Sequence, residues 1–338
     1  MEIALNALYQ TAEGSLIDKY WKGRVRDYFS LEMVSIEGDI KFFIRTIEVY
    51  KNVIEAQLYG QYPDIEIYEV PDYTRYVNYR GQEGGWDMVG IEFKLSKEDP
   101  YPIKTYVDYG LDKEGIKEEF KIDPLTSVIE YLGSIGKGEQ VWVQILVRAA
   151  KKRYHKKDGS MGDWKDEGKV IIDKLTKKSE KNDAGEEIIK TMMITKGQQE
   201  IVAAIERSIG KFGFDCGIRA AYLVKKDQFN PSNTKALSGL LRPFTTSNLN
   251  GFELYEQTFG YDYPWQDFKG KRLTYNRKKQ FNAYKQRSWF YPPRKLKPFV
   301  LTIEELATIY HFPGGVAQTP TFGRIPSRKG EAPVDLPI

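Results

Sequence analysis

The chain has 338 residues, which is long enough for more than one domain and a substantial buried core. Its 51 basic residues are nearly balanced by 47 acidic ones, so any affinity for nucleic acid must come from local patches rather than from the net charge of +4. The single cysteine excludes an internal disulfide framework, and no apolar run is long enough to cross a bilayer.

Residues 1–110 are predicted to form a first α+β layer. Glu37-Gly38-Asp39 is a good hairpin turn, and apolar residues recur at near-helical spacing from Val49 to Tyr59. Runs rich in β-branched and aromatic residues predict strands at 28–36, 40–46, 65–68, 89–95 and 105–109. The β-β-α-β order is typical of half of a ferredoxin-like or other split α+β layer.

Residues 111–255 are predicted to form a second layer of the same kind. Helices are expected to begin at Asp123, Thr195 and Pro231, and strands are expected at 140–147 and 216–224. Between them, residues 149–190 are dense in lysine and glycine, which predicts a solvated insertion with a charged helical arm. The predicted fold class is therefore α+β, with two ferredoxin-like layers, a charged insertion and an extended C-terminal tail.

Residues 256–298 form an aromatic and basic segment that we expect to be irregular. Its candidate binding residues are Lys271, Arg272, Tyr275, Arg277, Lys278, Lys279, Tyr284, Lys285, Arg287 and Trp289. Cations that meet phosphates, with rings that stack on bases, are typical of single-stranded nucleic-acid binding. The same mixture is typical of protein–protein interfaces, and we prefer that interpretation.

No catalytic, cofactor or metal site is predicted. The loop Gly133–Gly138 resembles a phosphate-binding loop, but no Ser or Thr follows Lys137, and the loop is expected after a helix and before a strand, the reverse of the required order. Two histidines and one cysteine provide no set of zinc ligands. Cys216 lies in an apolar strand, where a lone cysteine is usually a core residue. We therefore expect a protein that is not an enzyme.

Residues 299–338 are predicted to form a short helix followed by an extended strap. Thr302 and Glu305 make a capping box at the start of the helix, and Leu306, Ile309 and Tyr310 give it one apolar face. The sequence Pro313-Gly314-Gly315 ends the helix, and the residues beyond it are rich in proline.

Residues Glu304–Pro313, with the sequence EELATIYHFP, resemble the E-E-L-A-T-hydrophobic-x-H-F-P signature of conjugation and type IV secretion ATPases and coupling proteins of the HerA–FtsK class. In that class the signature closes the region before the P-loop motor, and a proline-rich strap follows it. The segments Tyr28–Glu32 and Tyr62–Tyr68 are more loosely similar to uncharacterised proteins associated with such systems.

The resemblance implies a scaffold or adaptor of a bacterial DNA-translocation machine, which docks a P-loop motor in trans or as a missing C-terminal domain. The expected docking residues are Glu304, Glu305, Leu306, Ile309, Tyr310, His311, Phe312 and Pro313. Membrane-complex subunits and further copies of the chain are additional expected partners, and single-stranded nucleic acid is the alternative. Met1–Leu8 looks like a helix entered partway, and in the similar proteins such a segment lies inside a longer chain, after a hydrophobic part. The resemblance therefore implies a fragment with its membrane anchor missing upstream, located in the bacterial cytoplasm at the inner face of the membrane.

Overall fold

The computed structural model describes residues 1–15, 17–18, 21–81, 84–113, 123–156, 159–181, 187–191 and 195–313. In this part of the chain the strands are β1 (Phe29–Ile36), β2 (Asp39–Arg45), β3 (Trp86–Leu95), β4 (Glu139–Ala149), β5 (Tyr154–His155), β6 (Met161–Gly162), β7 (Lys177–Lys181), β8 (Glu187–Thr191), β9 (Gly213–Lys225), β10 (Phe252–Gln257) and β11 (Phe299–Thr302). The α-helices are α1 (Glu2–Asn6), α2 (Lys51–Gln61), α3 (Leu125–Gly133), α4 (Trp164–Thr176), α5 (Lys196–Ile209), α6 (Pro231–Ser238), α7 (Lys271–Lys285) and α8 (Ile303–Ile309).

A seven-stranded antiparallel sheet forms the centre of the described structure. Its strand order is β10-β3-β9-β4-β1-β2, and β11 also pairs with β9. Strand β4 pairs with β9 along residues 214–224. The other edge of β9 is shared, because β3 pairs with residues 218–225 and β11 with residues 213–216. The long apolar run of β4 is buried on both faces, which confirms the central position predicted from its sequence.

One face of the sheet carries the larger hydrophobic core. Successive residues of a strand point to opposite faces, so on β9 the residues Phe214, Cys216 and Ile218 enter this core. Apolar residues of α1, α2, α3, α6 and α8 cover them, including Leu58 and Leu306. The helices thus lie mainly on this face.

The opposite face is covered by α7 and by the chain that follows it. Phe281 and Tyr284 of α7 pack on Trp142 of β4, together with Tyr73. Beyond the helix, Trp289 lies flat against β9 at Gly217, where an added Cβ atom would come within 2.2 Å of its ring. Only glycine at this position allows such close packing.

The α+β class predicted from the sequence is confirmed, but the arrangement in two ferredoxin-like layers is replaced by one sheet. Residues 1–110 supply β1, β2 and β3, and residues 111–255 supply β4, β9 and most of β10, so strands of both predicted layers are intermixed in the same sheet. The predicted hairpin at Glu37–Asp39 and the capping box of Thr195 are present. The strands expected at 65–68 and 105–109 are wrong, since both stretches are irregular or turn.

Two segments expected to lack regular packing are more ordered than the sequence suggests. In the insertion, the helical arm predicted from Trp164 to Ser179 is confirmed as α4, but it is not simply solvated, because the buried Trp164 lies against Gly213 of the central sheet. In residues 256–298, the irregular chain predicted from the sequence is wrong, because the fifteen-residue helix α7 occupies its middle. The packed side of α7 includes two polar residues, Arg277, which is partly buried, and Gln280, which is buried. The sequence of α7 therefore lacks a clear apolar stripe at helical spacing. None of the helices in the described ranges combines the length and apolar character needed to cross a membrane.

Candidate functional site

The signature segment Glu304–Pro313 begins with a helix that is buried in the body of the protein. The Glu305 N–H donates to Thr302 Oγ1, and the Thr302 N–H donates to Glu305 Oε2 at 2.7 Å, which confirms the predicted capping box. Leu306 and Ile309 have no exposed surface and belong to the main core. Because of this burial, α8 is an integral part of the fold.

Glu304 ties α8 to two separate parts of the body. The Thr105 hydroxyl donates to its Oε1 at 2.6 Å, and Lys211 Nζ lies 2.7 Å from its Oε2. Arg207 Nε lies 3.3 Å from Oε1, so the buried carboxylate faces two cations on or next to α5. A buried charge with such partners is tolerated, whereas an unpaired one is costly.

Glu305 is held by hydrogen bonds at both of its carboxyl oxygens. The Ile103 N–H donates to Oε1, and the Thr302 N–H and hydroxyl donate to Oε2. Burial is the dominant influence and raises the pKa of Glu305 to about 7, although the hydrogen bonds from Thr302 and Ile103 act in the opposite direction.

This raised pKa predicts a pH-dependent contribution to stability. A carboxyl whose pKa rises from 4.5 in the unfolded chain to about 7 binds its proton more tightly in the folded state. Its contribution is therefore fully present below the unfolded pKa and is lost as the pH rises to about 7, by roughly 3 kcal/mol. We expect the difference in the free energy of unfolding between the wild type and Glu305→Gln to fall by this amount across the window, as measured by urea denaturation. A difference that stays constant would mean that folding does not shift the pKa of Glu305.

The end of the signature segment reaches the surface. His311 Nδ1 lies 3.0 Å from the Ala307 carbonyl oxygen and Nε2 lies 2.8 Å from Asp123 Oδ2, so this histidine caps the last turn of α8. Phe312 packs edge-on against Phe42 and Tyr62. The end of the signature segment is therefore fixed by side chains on both sides, and the strap predicted after it lies outside the described residues.

The predicted docking residues fall into two groups. Glu304, Glu305, Leu306, Ile309 and Tyr310 are buried, and the Tyr310 hydroxyl donates to the Phe43 carbonyl oxygen. The side chains of these five residues anchor the segment within the chain's own fold, and their part in docking a partner stays a prediction. His311, Phe312 and Pro313 are only partly buried and remain accessible.

The predicted nucleic-acid residues divide into three groups, which are exposed, partly buried and buried. Five of them lie exposed along one stripe of α7, at helical spacing: Lys271, Arg272, Tyr275, Lys278 and Lys279. Arg277 forms an ion pair with Asp87, and Lys285 is half-buried over the ring of Phe281.

Tyr284, Arg287 and Trp289 are corrected as ligand-contacting residues, because the structure places all three inside the protein. The Tyr284 hydroxyl lies 2.9 Å from that of Tyr73, and Trp289 lies on β9. These side chains pack on the sheet. The aromatic and basic residues at the end of α7 and just after it therefore do not form an exposed binding surface.

Exposed rings just before α7 were not singled out from the sequence. Tyr263 and Trp265 stack with their centroids 4.7 Å apart and their planes at 11°. Trp265 is 78% exposed and Phe268 is 72% exposed. The available sequence signal was aromatic residues placed on both sides of Pro264 in a polar, turn-forming stretch.

A row of polar side chains crosses the second face of the sheet and was also missed. Glu32, Gln144, Arg219 and Glu92 are directly opposite one another on β1, β4, β9 and β3, and all four are buried. Gln144 Nε2 donates to Glu32 Oε1 at 2.8 Å. The Arg219 guanidinium donates to the Ser288 carbonyl oxygen at 2.7 Å and lies over the ring of Trp289.

Two arginines that follow α7 complete this buried row at its ends. Arg287 donates to Glu32 Oε1 at 3.0 Å and to Asp72, and Arg294 donates to Glu92 Oε1 at 2.9 Å. Burial alone would raise the pKa of the Asp72 carboxyl, but hydrogen bonds from Arg287 and Thr74 lower it to about 2. The row therefore fastens the chain that follows α7, which covers this face, to the sheet through charge-assisted hydrogen bonds.

The glycine loop Gly133–Gly138 lies between α3 and β4, in the helix-to-strand order expected of an ordinary connection. Its amides are already bonded to carboxylates: the Gly136 N–H donates to Glu139 and the Gly138 N–H donates to Glu37. Cys216 is fully buried, which raises the pKa of its thiol. Among the residues the structure describes, no group of His, Cys, Asp and Glu side chains is arranged to hold a metal ion.

These observations define an α+β protein whose antiparallel sheet is covered on both faces, with its signature helix inside the core. The chain belongs to the family described as Domain of unknown function (DUF8128), whose model matches residues 15–323. No curated protein and no solved structure matches the chain. Its function must therefore be argued from its own residues.

Proposed function

We propose that this chain is a non-catalytic scaffold of a DNA-translocation machine of the conjugation or type IV secretion type, and that it holds a P-loop motor of the HerA–FtsK class. The observation that carries the proposal is the placement of the signature segment. Glu304 to Tyr310 are locked into the body, and contacts of His311 and Phe312 fix the end of the segment, next to Pro313.

A fixed attachment point is what a motor-holding scaffold requires. Whatever follows Pro313 starts from a position set by Asp123, Phe42 and Tyr62. A partner attached there stays at high effective concentration near the body. The same geometry serves a motor that is a separate protein and one that is a following domain. The proposal places the body on the cytoplasmic side of the membrane, where ATP is available to the motor.

For a motor that is a separate protein, the proposal predicts that a P-loop ATPase of the HerA–FtsK class binds near Pro313. A photo-crosslinking amino acid at Pro313 in the full chain is expected to capture the ATPase, because this residue is partly exposed at the end of the signature segment. The same amino acid at Val170, which is 52% exposed on α4, is the matched control and is expected to capture none. Equal capture at both positions, or no complex in native mass spectrometry, would contradict the proposal.

A further inference from the structure

The surface formed by the turns before α7 and by the first half of that helix is held in one arrangement. Tyr261 lies under the Arg272 guanidinium at 5.0 Å, and its hydroxyl accepts a hydrogen bond from Asn276 Nδ2 at 3.1 Å. Asp267 caps the helix by accepting from the Arg272 and Leu273 N–H groups at 2.7 and 2.9 Å. The exposed rings of the turns are therefore positioned at the N-terminal end of the basic stripe.

The charge of this surface is strongly positive. Residues 261–279 contain six basic residues against two acidic ones: Lys269, Lys271, Arg272, Arg277, Lys278 and Lys279, with Asp262 and Asp267. Arg277 is paired with Asp87, and Asp267 accepts from the helix amides. The exposed cations of α7 extend over about 12 Å, at the helical rise per residue. Such a stripe matches a short stretch of phosphate backbone.

Four exposed aromatic rings accompany the cations. Tyr263 and Trp265 form the stacked pair, Phe268 follows in the next turn, and Tyr275 lies among the cations with 66% of its surface exposed. Exposed flat rings beside cations can stack on nucleobases, and this contact requires bases that are not already stacked in a duplex. A protein partner is disfavoured, since lysine is depleted from the cores of protein–protein interfaces.

We infer that the surface formed by Tyr263, Trp265, Phe268, Lys271, Arg272, Tyr275, Lys278 and Lys279 binds single-stranded nucleic acid. The cations contact the phosphates and the rings stack on the bases, so recognition depends little on sequence. This binding site goes beyond the proposed motor-holding function and is independent of it, because Pro313 does not belong to this surface. Failure of either proposal leaves the other standing.

The test is a titration of a fluorescent homopyrimidine oligonucleotide with the full chain over a series of salt concentrations. Lys278→Glu/Lys279→Glu is expected to lower the affinity at least tenfold and to reduce the slope of log K against log salt by about 1.4, the value for two phosphate contacts on a single strand. Trp265→Ala/Phe268→Ala is expected to lower the affinity about tenfold or more without changing that slope. The two variants therefore separate phosphate contacts from stacking.

The matched control is Lys169→Glu/Lys174→Glu on α4, which makes the same change of charge at two exposed lysines of another helix. Its affinity is expected to stay within about twofold of the wild type, and circular dichroism checks that all variants are folded. An equal loss in the control would overturn the inference, as would duplex DNA bound as tightly as the single strand. Absence of binding at low salt, or tighter binding to anionic phospholipid vesicles that is lost in both surface variants, would overturn it as well.

Discussion

Replacing Leu306 by aspartate is expected to prevent the protein from folding, rather than to release only the residues that follow Thr302. Leu306 has no exposed surface and packs in the main core on the sheet. Shortening a buried leucine to alanine costs about 2–5 kcal/mol, and burying an unpaired carboxylate costs several more. Together these terms approach the whole free energy of unfolding of a typical domain, about 5–15 kcal/mol. Circular dichroism and urea denaturation measure the effect.

The control for this prediction is Val170→Asp, which makes the same chemical change at a position 52% exposed on α4. It is expected to change the free energy of unfolding by less than about 1 kcal/mol. Leu306→Ala provides a graded variant that should stay folded but lose about 2–5 kcal/mol. A Leu306→Asp protein with wild-type stability and only its last residues freed would show that α8 is an appendage and not a part of the core.

Replacing Arg287 by methionine is expected to lower the free energy of unfolding by about 3–5 kcal/mol, because it leaves a buried carboxylate without its partner. Glu32 is 1% exposed and Arg287 is 3% exposed, and the two are joined at both carboxylate oxygens. Arg287 also neutralises Asp72. The loss should appear as a lower urea midpoint with an unchanged dependence on denaturant concentration.

A double-mutant cycle distinguishes the loss of the ion pair from the loss of packing. Glu32→Gln combined with Arg287→Met removes both charges, so the double variant is expected to be more stable than Arg287→Met alone. The exposed pair of Lys94 and Glu253, 3.2 Å apart, is the control, and Lys94→Met should cost less than about 1 kcal/mol. If Arg287→Met and Lys94→Met lowered the free energy of unfolding equally, the buried polar row would not be what holds the chain after α7 on the sheet.

Local sequence signals predicted the parts of the fold that depend on neighbouring residues. The turn at Glu37–Asp39, the capping boxes of Thr195 and Thr302, and the two-sided strand β4 each follow from residues close together in the chain. Pairing between distant strands has no such signal, so β3 and β9 were assigned to separate layers although they are adjacent in one sheet. Contacts over long sequence separation decide this arrangement.

The binding surfaces were predictable only in part, for the same reason. The cations and rings of α7 were identified from composition, but their exposure depends on which side of the helix meets the sheet. Arg277 and Gln280 lie on the packed side, so hydrophobic periodicity could not distinguish the two sides. The partner of Glu32 lies 255 residues away at Arg287, and no local pattern connects them.

The pairing of β11 with β9 has a consequence for the synthesis of this protein. On the edge of β9 that faces β11, residues 213–216 pair with residues 299–302. This pairing can form only after residues 299–302 have been synthesised. A nascent chain that ends between these two strands presents unpaired backbone groups in the middle of its sheet, together with the apolar surface that α8 later covers. Completion of the sheet therefore waits for residues close to the end of the described chain, and this late closure exposes the growing polypeptide to aggregation until the last strand arrives.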